Sequence, residues 1–193
     1  MKDSQEFLKA TLKNPLAVGA IAPSSRALSK LMIEGVEPSE SEMVLELGVG
    51  TGAVTEMISK ILPSADSYLG IEIDKRLASL VKEKYPDLNI MNADATSCTE
   101  IHEKSELGAV KYVLSGIPFV SLPKDICGQI FKEIDGFMEK GCMFRTFQYV
   151  HGFYTPPAKR LRDYMTERYG PMEKSRIVFK NVPPAVTLTW KTA

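Results

Sequence analysis

Apolar and polar positions along this chain alternate between two periods. Short apolar runs of strand length are each followed by a segment in which apolar residues recur every three or four positions, as on one face of a helix. Strands that alternate with helices in this way predict an α/β fold with a parallel sheet. The predicted strands are Met43–Leu47, Ser67–Asp74, Leu88–Ala95, Ala109–Gly116 and Cys142–Tyr149.

The end of the chain departs from this alternation. Two closing strands, Ser175–Asn181 and Ala185–Trp190, are joined through Val182-Pro183-Pro184 and predict an antiparallel hairpin. We therefore expect a seven-stranded, mostly parallel sheet with a C-terminal antiparallel hairpin and with helices on both faces. The predicted helices are Arg26–Glu34, Ala53–Leu62, Arg76–Lys84, Cys98–Ser105, Pro123–Met138 and Pro157–Tyr169.

The first 35 residues are predicted to form helices that cover the sheet domain, which we assign to residues 36–193. When Met1–Lys13 is placed on a helix, its apolar residues share one side and Lys2, Lys9 and Lys13 share the other. One interpretation is an interfacial helix that binds anionic lipid. The other is a short helix packed on the domain with its lysines in water, and the sequence alone favours this second interpretation.

Composition narrows the classes of partner. The 193 residues carry no net charge at pH 7, so no global field recruits nucleic acid, and nucleic acid is not expected as a partner. Three cysteines without a C-x-x-C pair and two distant histidines predict no metal site. The sequence shows neither an apolar run of about 20 residues, as a membrane span needs, nor the apolar core of a signal peptide. A cytoplasmic location is therefore expected.

The candidate chemistry starts at the end of the first strand, in Glu46-Leu-Gly48-Val-Gly50-Thr51-Gly52. Glycines in such a turn let a ligand approach the backbone, and the helix that follows favours a polar or anionic group at its N-terminus. Gly48-x-Gly50-x-x-Ala53 also satisfies the dinucleotide fingerprint of dehydrogenases. The Glu46 carboxylate, however, would repel a pyrophosphate and attract an ammonium or sulfonium.

This stretch resembles motif I of the class I S-adenosylmethionine (SAM) methyltransferases, E/D-x-G-x-G-x-G. The resemblance implies a Rossmann-like fold, SAM as cofactor and S-adenosyl-L-homocysteine as product. It also implies that Glu46 and the loop of Gly48, Gly50, Thr51 and Gly52 hold the methionine end of SAM.

Acidic residues at the ends of the next two strands fit the rest of such a cofactor. Glu72, followed by Ile73, ends the second strand, where a carboxylate can accept hydrogen bonds from both ribose hydroxyls. NAD enzymes share this requirement, so a dehydrogenase remains the alternative at this point. Asp94 and Ala95 end the third strand, where many methyltransferases bind adenine. Ser115, at the end of the fourth strand, completes the expected cofactor contacts.

The segment Ser115-Gly-Ile117-Pro118-Phe119 resembles motif IV, which reads N/D-P-P-Y/F in many amine methyltransferases. In that family the polar side chain and a proline carbonyl orient the target nitrogen, and the aromatic ring packs beside it. By this resemblance Ile117, Pro118 and Phe119 are expected to contact the substrate. The chain lacks the Asn or Asp and the first proline, which argues against an adenine or glutamine amide nitrogen as the target.

An aromatic loop, Val150–Pro157, follows the fifth strand. The Phe153 ring is a candidate substrate contact, because aromatic faces attract an alkylated ammonium. The candidates for catalytic proton transfer are Tyr149, His151 and Tyr154. A packed aromatic pair beside an exposed histidine is the competing structural interpretation.

Three stretches resemble the bacterial phospholipid N-methyltransferase family: Gly19–Ser25, Ser115–Phe119 and Phe179–Ala185. The resemblance implies successive methylation of the amino group of phosphatidylethanolamine, and docking on the inner face of the membrane through the N-terminal helix. The chain is more distantly similar to rRNA adenine dimethyltransferases, although neither their N-x-P-Y/F motif nor their basic helical C-terminal domain is expected here. The alternatives are a SAM methyltransferase for RNA adenine or a soluble amine, and a SAM-binding module without catalysis.

Overall fold

The structure is a computed structural model that describes residues 24–192. The predicted helix Met1–Lys13 and the small-residue segment before Ser24 lie outside the described residues. Among the described residues, no helix has both the length and the apolar character that crossing a bilayer requires.

The described chain forms one seven-stranded sheet with the strand order β3-β2-β1-β4-β5-β7-β6. The pairs among β1 to β5 are parallel, whereas β7 runs antiparallel to both β5 and β6. The prediction of a mostly parallel, seven-stranded α/β fold that closes with antiparallel strands is confirmed. The strands are β1 (Glu42–Leu47), β2 (Tyr68–Glu72), β3 (Asn89–Asn92), β4 (Ala109–Ser115), β5 (Met143–Tyr149), β6 (Glu173–Lys174) and β7 (Ala185–Lys191).

Helices cover both faces of this sheet, as a parallel sheet requires. One buried cluster joins the strands to α5, with Ile126, Ile130, Ile134 and Phe137 on its inner face. A second cluster on the opposite face contains Met32 and Ile58. The helices are α1 (Arg26–Met32), α2 (Thr55–Ile58), α3 (Lys75–Lys84), α4 (Cys98–Ser105), α5 (Lys124–Met138) and α6 (Pro156–Tyr169). Short 3₁₀ segments occupy Ala65–Ser67, Ala95–Ser97, Phe119–Ser121 and Val150–Gly152.

The helix predicted over Ala53–Leu62 is much shorter in the structure, where α2 spans only Thr55–Ile58. Beyond it, Lys60 N–H and Ile61 N–H bond to carbonyls three residues back rather than four. The Ser59 hydroxyl also donates to the Glu56 carbonyl, 3.1 Å away. These local bonds compete with the α-helical pattern and end it early. The predicted length of this helix was therefore wrong.

The closing strand predicted over Ser175–Asn181 was also placed wrongly. Within the segment that precedes β7, regular pairing with β7 is confined to β6, and beyond it only Val178 forms an isolated bridge, to Ala185. The Ser175 side chain explains the break, because its hydroxyl oxygen accepts the Thr187 N–H at 2.9 Å in place of a backbone carbonyl. The chain therefore leaves the ladder and runs as an irregular segment toward Ala185.

Two long-range contacts attach α1 to the sheet. The Arg145 side chain on β5 is buried, and its Nη1 lies 3.2, 3.0 and 2.7 Å from the carbonyl oxygens of Leu31, Met32 and Glu34. A cation at the carboxyl end of a helix is favourable, since the unpaired carbonyls carry partial negative charge. At the other end of α1, Asn181 Oδ1 accepts the Ser25 N–H at 2.8 Å. Residues 24–35 are therefore fixed against β5 and the segment that precedes β7.

Candidate functional site

The parallel strands β1 to β5 end at one edge of the sheet, which we call the carboxyl edge. The chain order reverses beside β1, which pairs with β2 on one side and with β4 on the other. In open α/β sheets the crevice at such a reversal is where ligands bind. The fold brings the predicted cofactor residues together along this edge. They follow or end β1 (Gly48–Gly52), β2 (Glu72, Ile73), β3 (Asp94, Ala95) and β4 (Ser115).

The loop after β1 depends on its glycines. Gly48, Gly50 and Gly52 have φ angles of 77°, 58° and 79°, in the left-handed region that side chains disfavour. A Cβ on Gly116 would lie 2.7 Å from the Gly48 carbonyl oxygen, so the loops after β1 and β4 touch through their backbones. At Gly50 the corresponding position has no atom within 4 Å. The loop therefore presents open backbone, as a cofactor that lies against it requires.

Glu72 connects this loop to the end of β2. One carboxylate oxygen accepts the Gly50 N–H at 2.8 Å, and the other accepts the Asp74 N–H at 2.8 Å. Burial raises the pKa of Glu72, while these two backbone donors act in the opposite direction. The Glu72 side chain therefore holds the glycine loop against the end of β2, and Glu72 is the acidic residue of that strand. Ile73, the next residue, is half-buried at the same edge.

Glu46 is enclosed below the loop rather than exposed at it. Its side chain is 2% exposed, and one carboxylate oxygen accepts the Tyr68 hydroxyl at 2.6 Å and the Thr55 hydroxyl at 2.8 Å. Gly70, which pairs with Glu46 across β1 and β2, has no side chain that would collide with the Tyr68 hydroxyl. Glu46 thus ties together β1, β2 and the first residue of α2, the three elements that frame the loop.

A Glu46→Gln variant is expected to change how stability depends on pH. Burial raises the pKa of Glu46 from 4.5 to about 7, against the effect of its two hydroxyl donors. Because the folded state holds this proton more tightly than the unfolded chain, the free energy of unfolding falls as the pH rises from 4.5 through about 7. The loss is on the order of 2–3 kcal/mol. Glutamine keeps an acceptor oxygen for both hydroxyls without ionising, so the variant should not show this loss.

Urea unfolding at about pH 5 and about pH 8 measures the effect as a difference in unfolding free energy. The exposed Glu83→Gln serves as the matched control and should follow the wild-type protein. An unchanged pH dependence in Glu46→Gln would show that Glu46 is ionised in the folded protein throughout this range.

The ends of β3 and β4 carry the remaining expected cofactor contacts. Asp94 is half-buried, and its carboxylate accepts the Thr96 N–H at 3.0 Å, which caps the short helical turn that starts at the buried Ala95. Ser115 is fully buried, and its hydroxyl oxygen accepts the Ile117 N–H at 3.2 Å. Asp94 therefore keeps a carboxylate at the edge, whereas Ser115 is occupied in shaping the turn.

The three expected substrate residues after β4 differ in exposure. Ile117 and Pro118 are half-buried, and Ile117 packs over Gly48. The Phe119 ring is turned into the core, with its centroid 5.3 Å from that of Phe131. The structure thus brings Ile117 to the glycine loop, and it places the Phe119 side chain beneath the surface.

The loop after β5 holds the aromatic candidates in two pairs. Tyr149 and His151 stack with ring centroids 5.8 Å apart, and burial raises the pKa of Tyr149. Phe153 packs edge-on against Tyr154 and under Arg162, whose guanidinium carbon lies 3.9 Å from the ring centroid. Phe153 is therefore already paired with a cation of the chain.

Two residues of this region were missed from the sequence. Tyr68 binds the Glu46 carboxylate, and Asn181 joins the segment before β7 to Ser25. Asn181 carried a usable signal, since an Asn close to a Pro-Pro pair is typical of a turn. No such signal marked Tyr68, because a tyrosine in an apolar strand is typical of an ordinary core residue.

Among residues 24–192, no group of three or more His, Cys, Asp or Glu side chains is placed to hold a metal ion. The polar groups along the carboxyl edge are instead single carboxylates at successive strand ends.

Comparison with solved structures identifies this fold. Magnesium protoporphyrin IX methyltransferase from Synechocystis, solved with bound SAM, superposes with a TM-score of 0.58 at 10% identity, over 100% of this chain and 85% of that one. A likeness at this identity shows the fold, which is that of the Rossmann-like class I SAM methyltransferases.

The family follows from the sequence. The family model for ribosomal RNA adenine dimethylase matches residues 22–136, more than half of the chain. The chain belongs to this family. It is a methyltransferase whose cofactor is SAM, and the dehydrogenase alternative no longer stands.

Two kinds of curated relative match this chain. The ornithine lipid N-methyltransferase of Singulisphaera acidiphila is 26% identical over 188 residues, which cover 96% of this chain and 94% of that protein. The ribosomal RNA small subunit methyltransferase A of Prosthecochloris aestuarii is 29% identical over 96 residues, which cover 50% of this chain and 35% of that protein. The match to the rRNA enzyme thus spans about a third of that enzyme's length.

Proposed function

We propose that this chain is a SAM-dependent N-methyltransferase that acts on the amino group of a membrane lipid, with phosphatidylethanolamine and its methylated derivatives as the leading substrates. The observation that carries the proposal is the extent of similarity. The relative that matches nearly end to end acts on an amine-bearing lipid, whereas the rRNA enzyme matches half of this chain.

The end of β4 supports an alkyl amine over a nucleobase. An adenine amino group is a weak nucleophile, and an amide or carboxylate acceptor helps to orient it. Here that position holds Ser115, which is fully buried and already accepts the Ile117 N–H. Gly116 next to it approaches the Gly48 carbonyl too closely for any side chain. The edge beside β4 therefore offers few polar groups to orient a weak nucleophile. This favours an alkyl amine, which is a stronger nucleophile than an adenine amino group.

The residues of this chain would act chiefly by positioning. Bound SAM supplies an electrophilic methyl group on a sulfonium. The glycine loop, Glu72 and Asp94 would hold the cofactor at the carboxyl edge, and Ile117 and Pro118 would lie beside the lipid headgroup. Alignment of two reactants in this way can lower a barrier by about 7–11 kcal/mol.

A proton acceptor is also needed, because an alkylammonium must lose a proton before it attacks. Burial raises the pKa of Tyr149, which keeps its phenol protonated and makes it a poor base. Tyr154 is 89% exposed, so few neighbouring groups fix its hydroxyl in a position to accept a proton. We assign the role to His151, because an imidazole nitrogen can accept a proton and this ring is held by stacking on Tyr149.

The test is methyl transfer from labelled SAM into phosphatidylethanolamine presented in vesicles, with lipid products separated by mass. Ornithine lipid and ethanolamine are assayed in parallel as the other amine-bearing candidates. We expect mono- and dimethylated phosphatidylethanolamine from the wild-type protein. SAM binding without any methylated lipid would refute the lipid assignment.

The second candidate is methylation of an RNA adenine, which the family model and the rRNA relatives favour. A small-subunit rRNA substrate in the same assay tests it, and labelled RNA in the absence of labelled lipid would establish it.

A further inference from the structure

The described residues leave an unusual group of large apolar side chains in water on the segment between β6 and β7. Phe179 is 75% exposed and Val182 is 74% exposed, and Ile177 is also exposed. We call these three residues the apolar tip. Large apolar side chains that cluster at one exposed place mark an interaction surface rather than an ordinary protein surface.

The apolar tip lies at the carboxyl edge, beside the candidate site. Ala185, the first residue of β7, pairs with Tyr149, the last residue of β5. The Val150 N–H donates to the Pro184 carbonyl at 2.8 Å, and the Val178 N–H donates to the Ala185 carbonyl at 2.8 Å. The segment before β7 therefore projects past the end of β5, in the same direction as the loop that carries His151.

The tip is held in this exposed position by its own support. Asn181 is buried between the exposed residues, where it accepts the Ser25 N–H at 2.8 Å and donates to the Pro183 carbonyl at 2.7 Å. These bonds fix the backbone while the side chains of Phe179 and Val182 point outward. A rigid segment with outward apolar side chains is prepared for insertion into an apolar phase.

The surrounding charge is one-sided. The segment 174–184 contains Lys174, Arg176 and Lys180 but no Asp or Glu, and all three cations are exposed. The neighbouring stretch 150–162, which follows β5, adds Lys159, Arg160 and Arg162, of which Lys159 pairs with Asp163 at 3.9 Å. In a chain with zero net charge, this makes the surface beside the carboxyl end of β5 and the amino end of β7 locally positive. Apolar side chains among cations suit the headgroup region of an anionic bilayer.

We propose that the apolar tip, with Arg176 and Lys180, docks this protein on an anionic phospholipid bilayer and turns the carboxyl edge toward it. The functional role of this docking rests on the proposed lipid substrate, because docking would let a headgroup amine reach the site from the membrane. The docking itself is argued from the apolar tip and its cations. Ser25, which donates its N–H to Asn181, lies beside the tip.

The test measures sedimentation of the full chain with phosphatidylcholine vesicles, with and without phosphatidylglycerol. The variant F179S/V182S should bind the anionic vesicles at least about tenfold more weakly, because two side chains lose their transfer into the bilayer. R176E/K180E should also lose about tenfold or more, but only when phosphatidylglycerol is present. The matched control is L80S/M91S, which replaces exposed apolar residues on α3 and β3 and should bind like the wild type. Thermal unfolding checks that each variant is folded.

Binding by F179S/V182S equal to that of the wild type, or an equal loss in L80S/M91S, would overturn the proposal. A change of oligomeric state in F179S/V182S would overturn it as well, by assigning the tip to contact with a second copy. Methyl transfer to a short-chain phosphatidylethanolamine dissolved as monomers separates docking from the reaction. If docking is right, F179S/V182S keeps this activity and loses the activity on vesicles. If the lipid reaction is wrong, the wild type methylates neither form although the tip still binds vesicles.

Discussion

A Glu72→Gln variant is expected to bind SAM about 10- to 100-fold more weakly than the wild-type protein, as the loss of hydrogen bonds to a charged group would produce. The two oxygens of Glu72 accept the Gly50 N–H and the Asp74 N–H, each at 2.8 Å. Glutamine has nearly the same shape but only one acceptor oxygen, so its amide group would face one of these backbone donors. The glycine loop then loses its anchor, and the cofactor loses an acidic acceptor.

Calorimetric titration with SAM measures this change directly. Glu83→Gln removes the same charge from an exposed position of α3 and should leave the affinity unchanged. Thermal unfolding establishes that the variant is folded at the titration temperature. If Glu72→Gln binds SAM as tightly as the wild type, Glu72 does not contribute to the cofactor site.

An Arg145→Met variant is expected to lose about 3 kcal/mol of unfolding free energy, from several hydrogen bonds to a charged donor. The guanidinium binds the last carbonyls of α1 and, through Nε, the Thr189 hydroxyl at 2.8 Å. Burial lowers the pKa of Arg145, which shows how far this cation is withdrawn from water. Methionine fills much of the volume but leaves those carbonyl oxygens without a donor. Urea unfolding at constant pH measures the loss.

The matched control for this loss is Lys30→Met, which makes the same type of change in the exposed last turn of α1. It should shift the unfolding free energy by no more than about 0.5 kcal/mol. Equal losses in both variants would show that Arg145 has no special role in holding α1 to the sheet.

The central strands β1, β4 and β5 were predictable because each is a largely apolar run that favours burial. Ala109–Ser115 and Met143–Tyr149 match the expected strands to within a residue at either end. The helix cap at Asp74 was likewise predictable, since it depends on the N–H groups of Arg76 and Leu77 only a few residues away. Interactions of this kind can be predicted because the residues that form them are neighbours in the sequence.

The two misplaced elements failed because one side chain redirected the backbone. At the end of α2 the Ser59 hydroxyl donates a hydrogen bond to the Glu56 carbonyl. Before β7 the Ser175 hydroxyl oxygen accepts the Thr187 N–H. Periodicity describes which side chains prefer burial, but it does not show which hydroxyls will compete for backbone groups.

Some features of the candidate site could be predicted from the sequence, and others could not. The glycine loop and Glu72 follow from motif spacing, because strand ends in a parallel sheet meet at one edge. The enclosure of Glu46 by Tyr68 depends on residues 22 positions apart, and the contact of Asn181 with Ser25 spans 156 positions. Such pairs are set by the assembled sheet, so the sequence could name Glu46 but could not show that it is buried.

A competition between lipid and RNA in one reaction distinguishes the two candidate substrates. Labelled SAM, phosphatidylethanolamine vesicles that contain anionic lipid, and small-subunit rRNA are incubated together with the protein, and the label in each fraction is counted. Glu72→Gln serves as the control for transfer that depends on the site. We expect label in the lipid fraction, and less of it with the variant. Label confined to the RNA, with none in the lipid, would contradict the proposed lipid substrate.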